Sequence, residues 1–327
     1  MIGVISYLVF FATMASILAI AVLGLNLQWG NTGLFNGGVA AFFGAGAYGT
    51  LLLGGLPQAE RLGGFALPYL LALAGGVAAA ALLAWVVGRC TLHLRHDYLA
   101  IATFGVAITF ENVVRNAEWL FGGAQGLRGF EKPFQDLLGA GLSYNAVFLA
   151  FVLIVLAGVY RFLERLVASP FGRLLRGIRE DETAARSLGK APAKVRLTAF
   201  VTGAAIMGLS GGLFATFYGF VSPQDVLPIL TFQIWAMLIV GGSGNNRGAI
   251  LGTFLTWAVW TLSGWALSRF APLEMQLYTG SVQYILIGSV IVGMLFWRPQ
   301  GLFPERLLIA KSTGNRAGSG RTGRLET

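Results

Sequence analysis

Charge is what this sequence has least of. Only 11 % of its 327 residues are Asp, Glu, Lys or Arg, and the first of them is Glu60. A soluble domain averages about 25 % charged residues. With 56 % of its residues apolar, the chain cannot cover a globular surface with polar groups. That excludes an ordinary soluble enzyme, a disordered chain and a fibrous repeat, and leaves a polytopic membrane protein. Cysteine is nearly absent too: Cys90 stands alone, so no internal disulfide forms. The start lacks the positive n-region and short apolar core of a secretory signal and is expected to remain as a membrane helix. No G-x-x-x-x-G-K-[ST] run occurs, so the chain is expected to carry no ATP site of its own. No Ser/His/Asp set or carboxylate pair points to catalysis. His93, His96 and Asp97 cluster, but a metal needs more ligands at fixed spacing, so no metal is expected.

What the sequence does have is long apolar runs. Spanning a bilayer takes about 20 apolar residues. Candidate spans lie near 4–27, 37–56, 66–88, 98–121, 144–163, 197–220, 228–243, 248–268 and 276–297. The fold class expected is all-α, a multi-pass bundle of about nine or ten helices. The 228–243 run is short and ends in Gly241-Gly242-Ser243-Gly244-Asn245-Asn246, the pattern of a half-helix that breaks inside the protein.

The chain carries a net charge of +9, which alone would suit nucleic acid or an anionic membrane surface. Placement decides. Segment 89–97 carries a net +1, segment 161–196 a net +5 and the tail 298–327 a net +4, while everything else sums to −1. Lys and Arg near span ends mark the cytoplasmic side. Even numbers of spans separate the three basic segments, so all three can share that side. The partner for the charge is therefore the lipid bilayer and not nucleic acid. A single membrane domain over 1–310, with a cytoplasmic segment 161–196 and a disordered basic cytoplasmic tail over 311–327, accounts for the whole sequence.

Within 161–196, Ser169 can N-cap a helix with Pro170 at its first position, and Gly189 can end it. A single helix over 171–188 would place Phe171, Leu174, Leu175, Ile178, Ala185 and Leu188 on one face and Arg173, Arg176, Arg179 and Glu180 mostly on the other. Glu182 falls in the apolar stripe, with Asp181 beside it. Such a helix either docks on a partner's polar groups or lies among lipid headgroups.

Other features fall inside the membrane. Gly44-x-Gly46-x-x-Gly49 matches a dinucleotide fingerprint, but it sits in an uncharged apolar run with no preceding strand. Like Gly208-x-x-x-Gly212, it reads as close helix packing. Glu111 and Arg115 stand at i, i+4 in the favourable order, flanked by Asn112 and Asn116, with Thr103 farther up the same span. The stripe serves either as an ion pair near the outer interface or as part of a solute path. Asn26, Gln28, Gly30, Asn31, Thr32 and Asn36 form a polar, Gly-interspersed break between two apolar runs. Such breaks either make a short turn or offer backbone groups to a zwitterionic solute. Gln233 and Gln283 read as glue between helices.

The run Glu182-Thr183-Ala184-Ala185-Arg186-Ser187-Leu188-Gly189 resembles the E-A-A-x-x-x-G loop of ABC importer permeases, with one extra residue between the Glu and the Ala pair and no clear I-x-L-P ending. Further runs resemble the branched-chain amino acid type of that family. They are Leu23-Gly24-Leu25-Asn26-Leu27 before Trp29-Gly30, Ala41-Phe42-Phe43 through Gly46-Ala47-Tyr48, and Tyr98-Leu99-Ala100-Ile101-Ala102-Thr103. They continue with Gly122-Gly123-Ala124-Gln125-Gly126-Leu127, Ser169-Pro170-Phe171-Gly172-Arg173, Gly241-Gly242-Ser243-Gly244 and Arg298-Pro299-Gln300-Gly301-Leu302. They run in order along almost the whole chain. The resemblance implies a permease subunit in a bacterial cytoplasmic (inner) membrane, with a second related permease, two ATPase subunits that hold ATP and Mg, and a solute-binding protein. It also implies that Arg173, Arg176, Arg179, Glu180, Asp181, Glu182, Ala184, Ala185 and Gly189 form the coupling helix against an ATPase. Branched-chain or other neutral amino acids are the expected solutes, with urea or short amides as an alternative. A stand-alone secondary transporter is the competing class; it would need ion-coupling acids at mid-membrane, where Glu111 is the one clear intraspan acid.

Overall fold

The computed structural model describes residues 2–57, 62–94, 96–128, 141–270, 278–298 and 300–304, with the isolated positions 133, 139 and 272. The basic tail expected over 311–327 lies outside the described residues. Nine apolar helices among the described residues overlie the nine candidate runs: α1 (Ile2–Gln28), α2 (Val39–Gly54), α3 (Tyr69–Thr91), α4 (His96–Asn116), α6 (Leu142–Ala168), α9 (Pro192–Tyr218), α10 (Ile229–Gly241), α11 (Asn246–Phe270) and α12 (Thr279–Trp297). Seven are long and apolar enough to cross a membrane, while α2 and α10 are shorter. The short helices are α5 (Glu118–Phe121), α7 (Pro170–Glu180) and α8 (Glu182–Ser187).

Two expectations are corrected. The run 98–121 does not continue as one helix: α4 stops at Asn116, and Gly122, at φ 73°, ends the one-turn α5. The helix expected over 171–188 is two helices. Ser169 caps α7 through its side chain with Pro170 at the first turn, as read. At Asp181 the backbone becomes extended (φ −149°, ψ 102°) and the carboxylate caps a new helix, accepting from Thr183 N at 2.8 Å and Ala184 N at 2.9 Å. An Asp cap of this kind satisfies two otherwise orphaned amides, and that wins over continuing the apolar stripe. Among the described residues the all-α architecture carries one small exception, a two-residue antiparallel ladder pairing Leu127 with Val221 and Arg128 with Phe220.

Helix α9 is the centre, packed on α1, α2 and α3, while α10 and α11 pair beside α1. Lipid tails are as apolar as Leu, so packing between spans depends on shape. The close contacts are made by glycines. Gly24 of α1 faces Gly203 of α9, Gly46 of α2 faces Gly208, and Gly49 faces Gly76 of α3. Gly212 meets Leu73 and Thr50, and Gly44 meets Phe110 and Val226. The second and third of these contacts account for the fingerprint-like spacing noted above. Ser210 Oγ adds a bond to Ile17 O at 2.6 Å.

The ends of α1, α3, α6 and α10 meet the starts of α2, α4, α9 and α11 at one end of the bundle. Arg89 and the basic stretch 173–196 lie there too, so this is the basic end. At the opposite end of α4, Glu111 Oε1 accepts from Arg115 Nε at 2.8 Å. Arg115 is half exposed and Glu111 nearly buried. Glu111→Ala is expected to lower Tm by a few degrees and to leave solute preference unchanged in whatever assembles. A changed preference, measured by competition in uptake assays, would contradict the ion-pair role.

Candidate functional site

The break between α1 and α2 is the first component of the site. Residues 29–38 are non-helical yet almost wholly buried, so their polar groups must be met internally. Gln28 Nε2 donates to Phe200 O (2.7 Å) and its Oε1 accepts from Asn36 Nδ2 (2.7 Å). Asn36 Oδ1 accepts from Gly38 N at 2.7 Å, and its carbonyl accepts from Trp235 Nε1 at 2.9 Å. Thr103 Oγ1 accepts from Gly37 N at 2.8 Å and donates to Leu99 O at 2.7 Å. Thr32 Oγ1 donates to Leu27 O at 2.9 Å. These side chains stitch the break to α4, α9 and α10.

Against this break lies a cavity of about 580 Å³, walled by Trp29, Phe35, Phe104, Phe232, Trp235, Ile239, Ile291 and Leu295, with Gly37, Thr231 and Ser243 among its few polar contributors. The Phe35 and Trp235 rings stack at 4.3 Å, and Trp29 meets Trp235 edge-on at 5.4 Å. The cavity shares Trp29, Phe35, Ala100, Ile101 and Ser243 with a second space of about 720 Å³ toward the basic end. That outer space adds Gly30, Gly33, Asp97 and Arg179. The site is thus an apolar aromatic chamber whose outer part holds one cation and one carboxylate. An apolar wall with a few placed polar groups is the usual make-up of a small-molecule site.

Two connections tie the chamber to its surroundings. Arg179 of α7 donates through its guanidinium to Gly30 O, on the break itself. Behind Gly30, Asn26 Oδ1 accepts from Gly244 N (2.8 Å) and its Nδ2 donates to Asn246 Oδ1 (2.8 Å). Asn246 Nδ2 in turn reaches Glu164 Oε1 of α6 at 3.0 Å. One chain of bonds therefore joins α1, the turn after α10, α11 and the end of α6.

The residues singled out as a solute path are distributed as follows. Gly30 borders the outer cavity. Asn26, Asn36 and Thr103 are fully buried, with the hydrogen bonds given above. Glu111 and Asn112 lie toward the far end of α4, away from the chamber, and Asn112 is exposed and donates back to Ile108 O at 2.9 Å. On α7 and α8, Gly172, Leu175, Ile178 and Ala185 are buried, while Arg173, Glu180, Asp181, Ala184 and Gly189 are exposed and Arg176 and Arg179 are partly buried. Gly189 has φ 72°, the left-handed conformation that ends a helix. Glu182 pairs with Arg186 at 2.6 Å and with Arg196 of α9 at 2.8 Å. That pairing gives a reason for an acid in the apolar stripe.

Sequence reasoning did not single out Asp97 as a site residue, nor Phe104, Thr231, Phe232, Trp235, Ser243, Ile291 and Leu295. They come from α4, from α10 and the turn after it, and from α12, and nothing in one helix's periodicity indicates which faces meet. The signal that was available is Trp29, beside the Gly-rich break.

Residues 7–295 match the family described as branched-chain amino acid transport system / permease component. The high-affinity branched-chain amino acid transport system permease protein LivM of Salmonella typhimurium is 33 % identical over 314 residues, covering 90 % of this chain and 69 % of that protein. Its Escherichia coli counterpart is also 33 % identical, over 316 residues, with the same coverage. A probable branched-chain amino acid transport permease protein LivM of Methanocaldococcus jannaschii is 29 % identical over 238 residues, covering 70 % of this chain and 68 % of the relative.

Proposed function

Given that the chain belongs to the branched-chain amino acid transport permease family, we propose that it is the transmembrane permease subunit of an ATP-driven importer for branched-chain or other neutral amino acids. Its partners in this reading are a second, related permease, two ATPase subunits that bind ATP and Mg, and a solute-binding protein. The membrane is the bacterial cytoplasmic (inner) membrane, with the basic end facing the cytoplasm, in keeping with the positive-inside rule.

The observation that carries the reading is the chamber. Its aromatic and aliphatic walls suit a branched aliphatic side chain, which gains roughly 25 cal/mol per Å² of apolar surface removed from water. Asp97 and Arg179 in the outer part carry charges complementary to the ammonium and carboxylate of an amino acid. The α7–α8 surface, with exposed Arg173, Glu180, Asp181 and Ala184, is the docking surface for an ATPase. A push there reaches the chamber through the Arg179–Gly30 bond, so closure of the ATPases alternates the chamber's access. A stand-alone secondary transporter fits less well, because Glu111 is occupied by Arg115 and lies away from the chamber.

The test is uptake into proteoliposomes containing the assembled complex. Leucine uptake should require ATP and stop with vanadate; uptake by this chain without ATPase subunits would refute the reading. In the same assay Phe232→Ala, which removes a half-exposed chamber wall, should raise KM for leucine or isoleucine about tenfold and alter alanine uptake far less, since filling an apolar pocket discriminates by about 1–3 kcal/mol per methylene. Equal losses for all solutes would remove the chamber from the solute path.

A further inference from the structure

A separate pocket of about 560 Å³, sharing no residue with the chamber, lies at the basic end between the end of α3 and the α8–α9 corner. Four cations line it, Arg89, Arg186, Lys194 and Arg196, against the single carboxylate of Glu182. Arg196 is 8 % exposed. One guanidinium nitrogen is spent on Glu182 Oε2 at 2.8 Å, but its buried Nε has no hydrogen-bond partner among the described residues. That Nε is closed off from the pocket space, but the lining as a whole keeps an excess of positive charge that an anion would balance.

The approach to this pocket identifies the kind of anion. Leu82, Trp85 and Val86 are exposed on one face of α3, and Arg89 continues that face one turn on. Its guanidinium stands 5.1 Å from the Trp85 ring. Trp with a neighbouring Arg at a span end is the arrangement of a membrane–water interface. The apolar stripe thus leads from bilayer depth into the cationic pocket, whose remaining walls include Leu92 and Leu197. Basic pockets between spans at this level take anionic lipid headgroups. A free phosphate would meet the cations but leave the α3 stripe uncovered.

We propose that this pocket binds one anionic phospholipid of the leaflet at the basic end. Its phosphate pairs with Arg89 and Lys194, and an acyl chain follows Leu82, Trp85 and Val86.

The test uses the full chain with the subunits that co-purify with it, in mild detergent, read by native mass spectrometry and thermal melting. Phosphatidylglycerol should remain bound and raise Tm, whereas phosphatidylcholine and inorganic phosphate should do neither. The double variant Arg89→Gln/Lys194→Gln alters two exposed cations outside the Glu182 pair. It should weaken phosphatidylglycerol retention about thirtyfold, at about 1 kcal/mol per cation, with lipid-free Tm unchanged, and Lys194→Arg alone should retain it. If the double variant does not fold, Lys194→Gln alone is titrated and should still bind severalfold more weakly. Equal retention of phosphatidylcholine, unaltered retention in the variants, or a phosphate effect equal to the lipid's would overturn the proposal. So would a Lys194 cross-link to a partner subunit in the lipid-replete complex, which would assign these cations to protein docking.

Discussion

Gly46→Leu is expected to abolish recovery of folded protein. A side chain at Gly46 has nowhere to go: its first carbon would coincide with the backbone of Gly208 on α9, and the carbonyl of Gly46 already faces Gly76 of α3. What it meets is backbone, so no rotamer change relieves it. Overpacking in a tight core costs typically about 1–3 kcal/mol even where side chains can move. Here three helices must separate, against a total stability of about 5–15 kcal/mol for a folded domain. The measurement is fluorescence-detected size exclusion of a tagged chain, with Gly158→Ala as the control. Gly158 lies on α6 with open space where its side chain would go, so its elution should match the parent and its Tm should equal or slightly exceed it. A normal profile for Gly46→Leu would mean that α2 and α9 do not approach as described.

Arg179→Ala is expected to separate ATP hydrolysis from transport. Arg179 is the α7 residue that reaches the α1–α2 break, donating to Gly30 O with its stem against Gly33. Gly33 sits at φ 70°, so it supplies both the left-handed turn and the room for that stem. Without the guanidinium, motion of α7 no longer reaches the chamber wall. Uptake in proteoliposomes should fall at least about tenfold, the loss expected when about 1.4 kcal/mol of coupling disappears, while ATPase activity stays near the parent value. Arg179→Lys should rescue only partly, because a point charge replaces a planar fork. Hydrolysis and uptake falling in equal proportion would indicate a docking defect instead, and no change in either would sink the lever.

The apolar helices were legible because lipid-facing and buried residues are both apolar, and run length alone marks a span. The polar break at 26–36 was legible for the complementary reason: Asn and Gln are expensive in such surroundings and stand out. Whether the break serves the solute or itself was not legible, because that depends on Phe200 and Trp235, more than 160 residues away. The interruption at Asp181 was hidden by an apolar period that runs on through Ala185 and Leu188. The sequence Asp181-Glu182-Thr183 carries the cap signature that could have revealed it. The chamber was beyond reach for a geometric reason. Its walls come from four separate stretches, and periodicity reports which face of a helix is apolar, never which face it meets.

Helix α12 supplies Ile291 and Leu295 to the chamber, yet Ile287 is its one buried residue. Gln283 ties it to α11 by a bond to Trp260 O at 2.9 Å, and Tyr284 adds a ring contact with Trp260 at 5.5 Å. It packs on α10 as well, but most of its surface faces out of the bundle. One wall of the chamber is therefore held by the bundle along one face only, and otherwise depends on what surrounds it. Bilayer thickness and lateral pressure become determinants of the chamber's shape, and a short-chain detergent that lets α12 swing outward removes part of the site while leaving the α1–α2–α3–α9 centre intact. Solute affinity and fold integrity can thus part company with the choice of amphiphile, without any change in sequence.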